Sequence, residues 1–421
     1  MTSAPAPHKA KLRRRLTLTL VVLYGVGVTI GAGIYVLIGA TAARAGVHAP
    51  MAFVLAAVVM GFSAASFAEF VCRLPVSAGP AAYVRFGFGS HITAFIVGVA
   101  VMMAGIVSAA AISLGSAGYL GVFLDPLIVI DRSTLTVLIV LVVAAIACVG
   151  ILESVVFAGI MTLIEIGGLA AIVIGGIVGS PELFARLPEV VPVTTDVTVW
   201  SGILGAGLLA FFAFIGFEDM VNVAEEVKQP ERTMPRAIFI TLVMVTLLYF
   251  IVACIAVLSV PLDRLGTSDA PLGLVFGAVT NLPPAVVSTI AIIATFNGIV
   301  IQMIMASRVL YGMGDQGTIP GAAGRLLSTV YARTGTPVIA TVLVAAAILT
   351  LALRFDIEHL ADATSQILLA VFLLVNLALV RVKWRERTPS AERPPMTLFQ
   401  VPLAVPLLGA LLSFCLLVFG G

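Results

Sequence analysis

The chain is predicted to be an all-α polytopic membrane protein of about 11 transmembrane helices, and three observations carry that prediction. Hydrophobic residues make up 61% of its 421 residues and charged residues only 10%, with a mean hydropathy of +1.17. A soluble domain of this length cannot hide so much apolar surface. Apolar runs of about 20 residues recur from end to end, each long enough to cross about 30 Å of hydrocarbon. With the N-terminus placed in the cytoplasm, 18 Lys and Arg residues fall in inner loops and 5 in outer ones, which is the bias that orients membrane proteins.

Residues 1–15 form a short basic cytoplasmic tail, with Lys9, Lys11, Arg13, Arg14 and Arg15. The first span, 17–41, is too long for the apolar region of a signal peptide, and no small-residue cleavage site closes it. Further spans are read at 50–72, 92–120, 134–152, 155–178, 200–223, 237–260, 285–311, 337–354, 361–380 and 398–420. Residues 179–199 are an external loop and 381–397 a cytoplasmic one, and the odd span number leaves Gly421 outside.

Several function classes drop out. The basic residues serve topology, so the net charge of +2 gives no reason to expect nucleic acid. Cys72, Cys148, Cys254 and Cys415 lie in or at the ends of spans without CxxC spacing, so packing is their expected role. His8, His48, His91 and His359 are scattered, and neither HExxH nor GxSxG occurs, so no metal, cofactor or enzymatic constellation is expected. A channel needs a continuous polar stripe along several spans, whereas the polar residues here are isolated.

Two spans are interrupted by glycine, at Gly31-Ala32-Gly33 in the first and around Ile215-Gly216-Phe217 in the sixth. Such breaks free backbone groups at membrane depth, where they are tolerated if they line a cavity or hold a ligand. The amides of Gly31, Ala32 and Gly33 then open an outer half-helix, whose positive end suits a carboxylate. Freed carbonyls near Val28 and Thr29, and at Ala213, Phe214 and Ile215, suit an ammonium group. An α-amino acid carries both groups. The competing reading is tight helix packing through small residues such as Gly27 and Gly31. Phe211, Phe212, Phe214 and Phe217 crowd the second break, either as packing or with one serving as a lid.

Carboxylates inside spans are candidates for function by default. Glu69 lies one turn before Arg73 and is either paired with it or solvated at the cytoplasmic end. Glu218, followed by Asp219, either meets a substrate amine or belongs to a gate or scaffold beside the break. Glu165, in Thr162-Leu163-Ile164-Glu165-Ile166-Gly167-Gly168, is isolated among apolar and small residues. A carboxyl that is charged in one conformation and neutral in another can couple proton movement to transport, while a permanently protonated one would bond a neighbouring carbonyl.

These motifs carry a resemblance. Gly25-Val26-Gly27-Val28-Thr29-Ile30-Gly31-Ala32-Gly33-Ile34-Tyr35 resembles the first helix of the amino acid/polyamine/organocation superfamily, particularly its cationic-amino-acid-transporter-like branch. The stretch from Phe211 to Ile238 resembles that family's sixth helix and following loop, and Met305 to Met313 with Asp315 and Pro320 resembles the end of its eighth. The similarity runs from residue 16 to about 380.

The resemblance implies a LeuT-type fold of two inverted five-helix repeats, 16–178 and 200–380, with discontinuous first and sixth helices and alternating access. By position it implies that the Ala32 and Gly33 amides bind the substrate carboxylate, and that the Thr29, Ala213 and Ile215 carbonyls hold the amine. It also implies that Phe212 is the occluding aromatic, that Glu218 is linked to gating, and that Ala270 to Thr280 is a short external helix over the vestibule. Departures are informative. Glu165 stands where proton-coupled relatives often carry lysine. No Ser or Thr occurs from Gly298 to Met305, where sodium-coupled relatives use hydroxyls. Pro80, in Pro75-Val76-Ser77-Ala78-Gly79-Pro80, replaces a usual glycine, and the chain has one helix fewer than the usual twelve. The expected function is an amino acid permease with Glu165 as its proton-coupling residue. Neutral amino acids are the first expected substrates, cationic ones or polyamines the second, and exchange is an alternative to uptake.

Overall fold

The computed structural model describes residue 14 and residues 16–74, 79–125, 128, 130–149, 155–315, 319–331, 333–387 and 398–420. The expectations for residues 1–13 and 15, for 75–78 and for 388–397 lie outside them. Among the described residues there is no β-strand, only isolated bridges, and the molecule is an all-α polytopic membrane protein.

The first span is two half-helices, α1 (Leu18–Ile30) and α2 (Gly33–Ala45). Next come α3 (Ala49–Arg73), a short α4 (Gly79–Phe88), α5 (His91–Leu124), α6 (Arg132–Val149) and α7 (Val155–Gly179). After a small helix α8 (Leu183–Arg186), the sixth span is again divided, into α9 (Val197–Ala213) and a 3-10 helix over Phe217–Glu226. The chain continues through α10 (Pro230–Ser259), α11 (Leu262–Gly266), α12 (Pro271–Thr280), α13 (Ala285–Asp315), α14 (Gly321–Leu327), α15 (Val338–Ala352), α16 (Ile357–Arg385) and α17 (Ala404–Phe419).

Each of the eleven expected spans therefore coincides with a helix or a broken pair, and α12 occupies the segment expected to be a short helix. Spacing did not foretell α4, α8, α11 or α14. They are too short to cross a bilayer, and their residues read as loop by composition. With 34 residues, α5 is about 51 Å long, so it tilts or projects beyond the hydrocarbon.

Helices in lipid gain no hydrophobic energy by meeting one another, so they associate through close packing and internal hydrogen bonds. Gly87 of α4 lies against Ala378 of α16, and Gly115 of α5 against Val36 of α2. On α3, Ser63 Oγ accepts from Asn376 Nδ2 of α16 at 3.0 Å, and Ser66 Oγ donates to Asn376 Oδ1 at 2.6 Å. The outward faces are apolar, as with Leu138, Leu141 and Val142 of α6, which suits lipid.

Ion pairs fasten α16 at both ends. At one end, Glu69 of α3 is fully buried and meets Arg73 Nε at 2.9 Å and Lys383 Nζ at 2.8 Å. It also accepts the Val401 amide at 2.8 Å, while Arg73 reaches on to Glu386. Of the two readings of Glu69, the paired one is observed. At the other end, Arg44 of α2 pairs with Glu358 at 3.0 Å and Asp362 at 2.8 Å, with all three partly exposed. The chain entering α1 also pairs with the chain leaving the sixth span: Leu16 N–H donates to Glu226 O, and Lys228 N–H to Leu16 O, both at 2.9 Å.

Candidate functional site

At the first break, α1 closes with the Gly31 N–H donating to Gly27 O at 3.2 Å, and Gly31 itself has φ +28°. A side chain there would be strained, which is why glycine ends the helix. One residue later the Ala32 carbonyl accepts the Val36 N–H at 3.0 Å and starts α2. The first amides of α2 have no carbonyl of their own helix to bond.

At the second break, the Phe214 and Ile215 amides tighten the end of α9 onto Phe211 O and Phe212 O at 3.0 and 3.1 Å. Gly216 then turns the chain at φ +116°. Its N–H donates to Glu218 Oε2 at 2.9 Å, and its carbonyl accepts from the Asp219 N–H at 3.0 Å. Glu218 is buried and, from the first turn of the half-helix Phe217–Glu226, reaches back to the amide of the residue before it.

The two breaks press on each other. A Cβ on Gly33 would lie 2.5 Å from Ala213 Cα, and one on Gly216 would lie 2.5 Å from Val28 O. Between them stands the buried hydroxyl of Tyr249 from α10, 3.0 Å from Thr29 O, 3.2 Å from Ile30 O and 2.9 Å from Ala213 O. A phenol has one proton for these three acceptors, so it ties both breaks at one point. Nothing in the sequence distinguished Tyr249 from any other aromatic in an apolar span.

A cavity opens beside the breaks, lined by Gly27, Val28, Thr29, Gly31, Ala32, Gly33, Phe212 and Ile215 together with Ser108, Ile112, Asn297, Gly298, Ile301 and Gln302. Its empty space, counted out to the open side, is about 460 Å³. No lining residue is charged. The structure thus brings together the residues expected to hold the carboxylate and, of those expected to hold the amine, Val28, Thr29 and Ile215. Ala213 and Phe214 stand behind the lining, and the Ala213 carbonyl faces the Tyr249 hydroxyl. Glu165 and Glu218 do not line the cavity either.

Ser108 and Ile112 of α5, and Asn297, Gly298, Ile301 and Gln302 of α13, form the wall that sequence reasoning missed. Their spacings, four apart on α5 and 297/301 with 298/302 on α13, each mark one helix face. Polar Asn297 and Gln302 inside an apolar run were the available signal.

Glu165, on α7, is fully buried, and neither carboxyl oxygen closes a hydrogen bond. Asn297 is among the polar side chains beside it. Its own carbonyl accepts the Tyr35 hydroxyl at 2.7 Å, which fixes α7 against α2. Gly27 lets α7 approach α1 closely, because a Cβ there would overlap Thr162 Oγ1.

The sequence profile of the family described as "Amino acid permease" matches residues 15–420. The chain belongs to that family. It is an integral membrane permease of the amino acid/polyamine/organocation type, similar to the cationic-amino-acid-transporter-like branch, and not an enzyme. It is 28% identical to the branched-chain amino acid permease BcaP of Bacillus subtilis over 93% of this chain and 84% of that one. It is 29% identical to the vacuolar cationic amino acid transporter 2 of Arabidopsis thaliana over 88% of this chain, spanning 59% of that relative. A methylthioribose transporter of Bacillus subtilis is 26% identical over 92% of the chain and 84% of its own length.

Proposed function

We propose that this permease is a secondary active transporter that takes up neutral amino acids with protons by alternating access, in the plasma (inner) membrane, with its N-terminus in the cytoplasm. The observation that carries the reading is an uncharged cavity set between two broken helices. Helix-opening amides at Ala32 and Gly33 receive the substrate carboxylate, with Gly31, whose own amide is held by the Gly27 carbonyl, turning the chain beside them. Carbonyls at Val28, Thr29 and Ile215 receive the ammonium group, with Ala213 and Phe214 supporting that side. Phe212 covers the ligand, Glu218 holds the gate, and Glu165 carries the proton. In this reading 16–178 and 200–380 are inverted repeats that rock against each other, 1–15 and 381–397 are cytoplasmic, 179–199 is external, and 398–421 adds a peripheral helix.

The absence of a carboxylate from the lining favours neutral over cationic side chains, because a buried unpaired cation is costly. Similarity to the plant cationic amino acid transporter supports cationic amino acids as the second reading, with polyamines beside them, and exchange remains the alternative to uptake. The test is uptake of labelled L-leucine and L-arginine into proteoliposomes with and without an inward proton gradient. The expected result is gradient-stimulated L-leucine uptake that loses its stimulation in Glu165→Gln while counterflow continues. Uptake of L-arginine alone would overturn the substrate, and indifference to the gradient would indicate exchange.

A further inference from the structure

The substrate cavity and the Glu165 carboxyl share one side chain, that of Asn297. It lines the cavity from α13, and it is also a polar group beside Glu165 on α7. The packing around it is close. A Cβ on Gly168, one turn beyond Glu165, would lie 2.9 Å from Ile290 of α13. Next to Asn297, a Cβ on Gly298 would lie 3.8 Å from the Ala32 Cβ, beside the amides assigned to the substrate carboxylate. Both Glu165 oxygens are buried and without a hydrogen-bond partner. The other titratable groups facing Glu165 are Tyr35 of α2 and Tyr249 of α10, whose hydroxyls already donate to backbone carbonyls. From α1 the neighbours are uncharged.

We propose that Asn297 is the positioning residue that couples the two sites, its amide turning with the protonation of Glu165 and so changing the group that the cavity presents to the substrate. The inference rests on the proton-coupled reading given above. An ionised carboxylate only accepts hydrogen bonds, so it draws the Asn297 NH₂ toward itself and leaves the amide carbonyl on the cavity side. A protonated carboxyl donates its O–H to that carbonyl and turns the NH₂ toward the cavity, where it adds a donor for the substrate carboxylate. The proton stays on Glu165 and the amide only rotates. Substrate therefore binds more tightly when Glu165 is protonated, and by reciprocity bound substrate favours the protonated form.

The test is the Kd of purified protein for L-leucine from pH 5.5 to 8.5, for wild type, Glu165→Gln, Asn297→Leu and Asn297→Ala. For one linked proton the wild-type Kd rises by up to about tenfold per pH unit in the linked range. Glu165→Gln is expected to be flat, and both Asn297 variants are expected to vary by less than about twofold across the series, whatever their absolute affinity. The slope is read rather than the affinity because a purely structural loss shifts all points together. Two variants are used so that one well-folded protein suffices. A wild-type slope retained in either folded Asn297 variant, with Glu165→Gln flat, overturns the inference and leaves Glu165 in its role. A flat wild type, a slope retained in Glu165→Gln, or no L-leucine binding at any pH overturns the underlying reading together with this one.

Discussion

Gly33→Ala sets two effects of opposite sign against each other. In a helix alanine is favoured over glycine by about 1 kcal/mol. Here the new Cβ would stand 2.5 Å from Ala213 Cα and 3.0 Å from Ala213 Cβ, whereas carbon atoms rest at about 3.5–4.0 Å. The half-helices α2 and α9 must therefore separate by about 1 Å. The obstruction is backbone, which cannot swing aside as a flexible side chain would, so the cost belongs near the top of the 1–3 kcal/mol range for overpacking. Subtracting the propensity gain leaves a loss of about 2 kcal/mol. The reference is Gly167→Ala on α7, where a Cβ would meet nothing within 4 Å and the change is neutral or stabilising. The assay is the apparent Tm in one detergent at one heating rate, with L-leucine uptake measured alongside. A lower Tm and weakened uptake are expected for Gly33→Ala alone. If the two variants melt and transport alike, the claim that the breaks are pressed together fails.

Two further outcomes follow from the hydrogen-bond and charge geometry. Tyr249→Phe removes the one donor shared by the Thr29, Ile30 and Ala213 carbonyls, at about 1–3 kcal/mol for a buried acceptor left unpaired. Hydrogen exchange near residues 31–36 and 214–219 should accelerate, and unchanged exchange would show that the hydroxyl does not hold the breaks. Arg73→Gln takes one of two cations from the fully buried Glu69 and leaves Lys383, and it should cost about 1.5–3 kcal/mol, the worth of hydrogen bonds to a charged group. Arg44→Gln at the half-exposed opposite end should cost less than about 1 kcal/mol. Comparing the two Tm values checks the contrast, and equal losses would refute it.

The breaks were legible because glycine at a positive φ, or where backbones touch, leaves a mark in sequence, and both Gly31 and Gly216 are of that kind. Glu69 with Arg73 was legible as a one-turn pair. What the cavity uses of the sixth span was not. Four phenylalanines stand within seven positions, but only Phe212 lines the cavity. Phe211 and Phe217 pack on Phe372, and Phe214 packs on Tyr249. A helix that is apolar all round gives no periodic signal of its rotation. For the same reason the α5 and α13 wall leaves little mark in the sequence, where its polar members Asn297 and Gln302 are neutral. Glu165 is legible in the sequence as an isolated carboxyl and is buried in the structure, but its neighbour Asn297 lies more than a hundred positions away and only the packing of α7 on α13 reveals it.

The mutual contact of the breaks bears on how such a chain can diverge. Because Gly33 rests on the Ala213 backbone and Gly216 on the Val28 carbonyl, the volume available at one break is set by how closely the other approaches it. Changes at these positions are therefore non-additive, and because the atom nearest a Cβ at 33 is the Ala213 Cα, a larger residue there requires the two half-helices to move apart. The two segments sit about 180 positions apart in the chain, yet in space they form one contact, so the two halves of the chain must match each other at this junction.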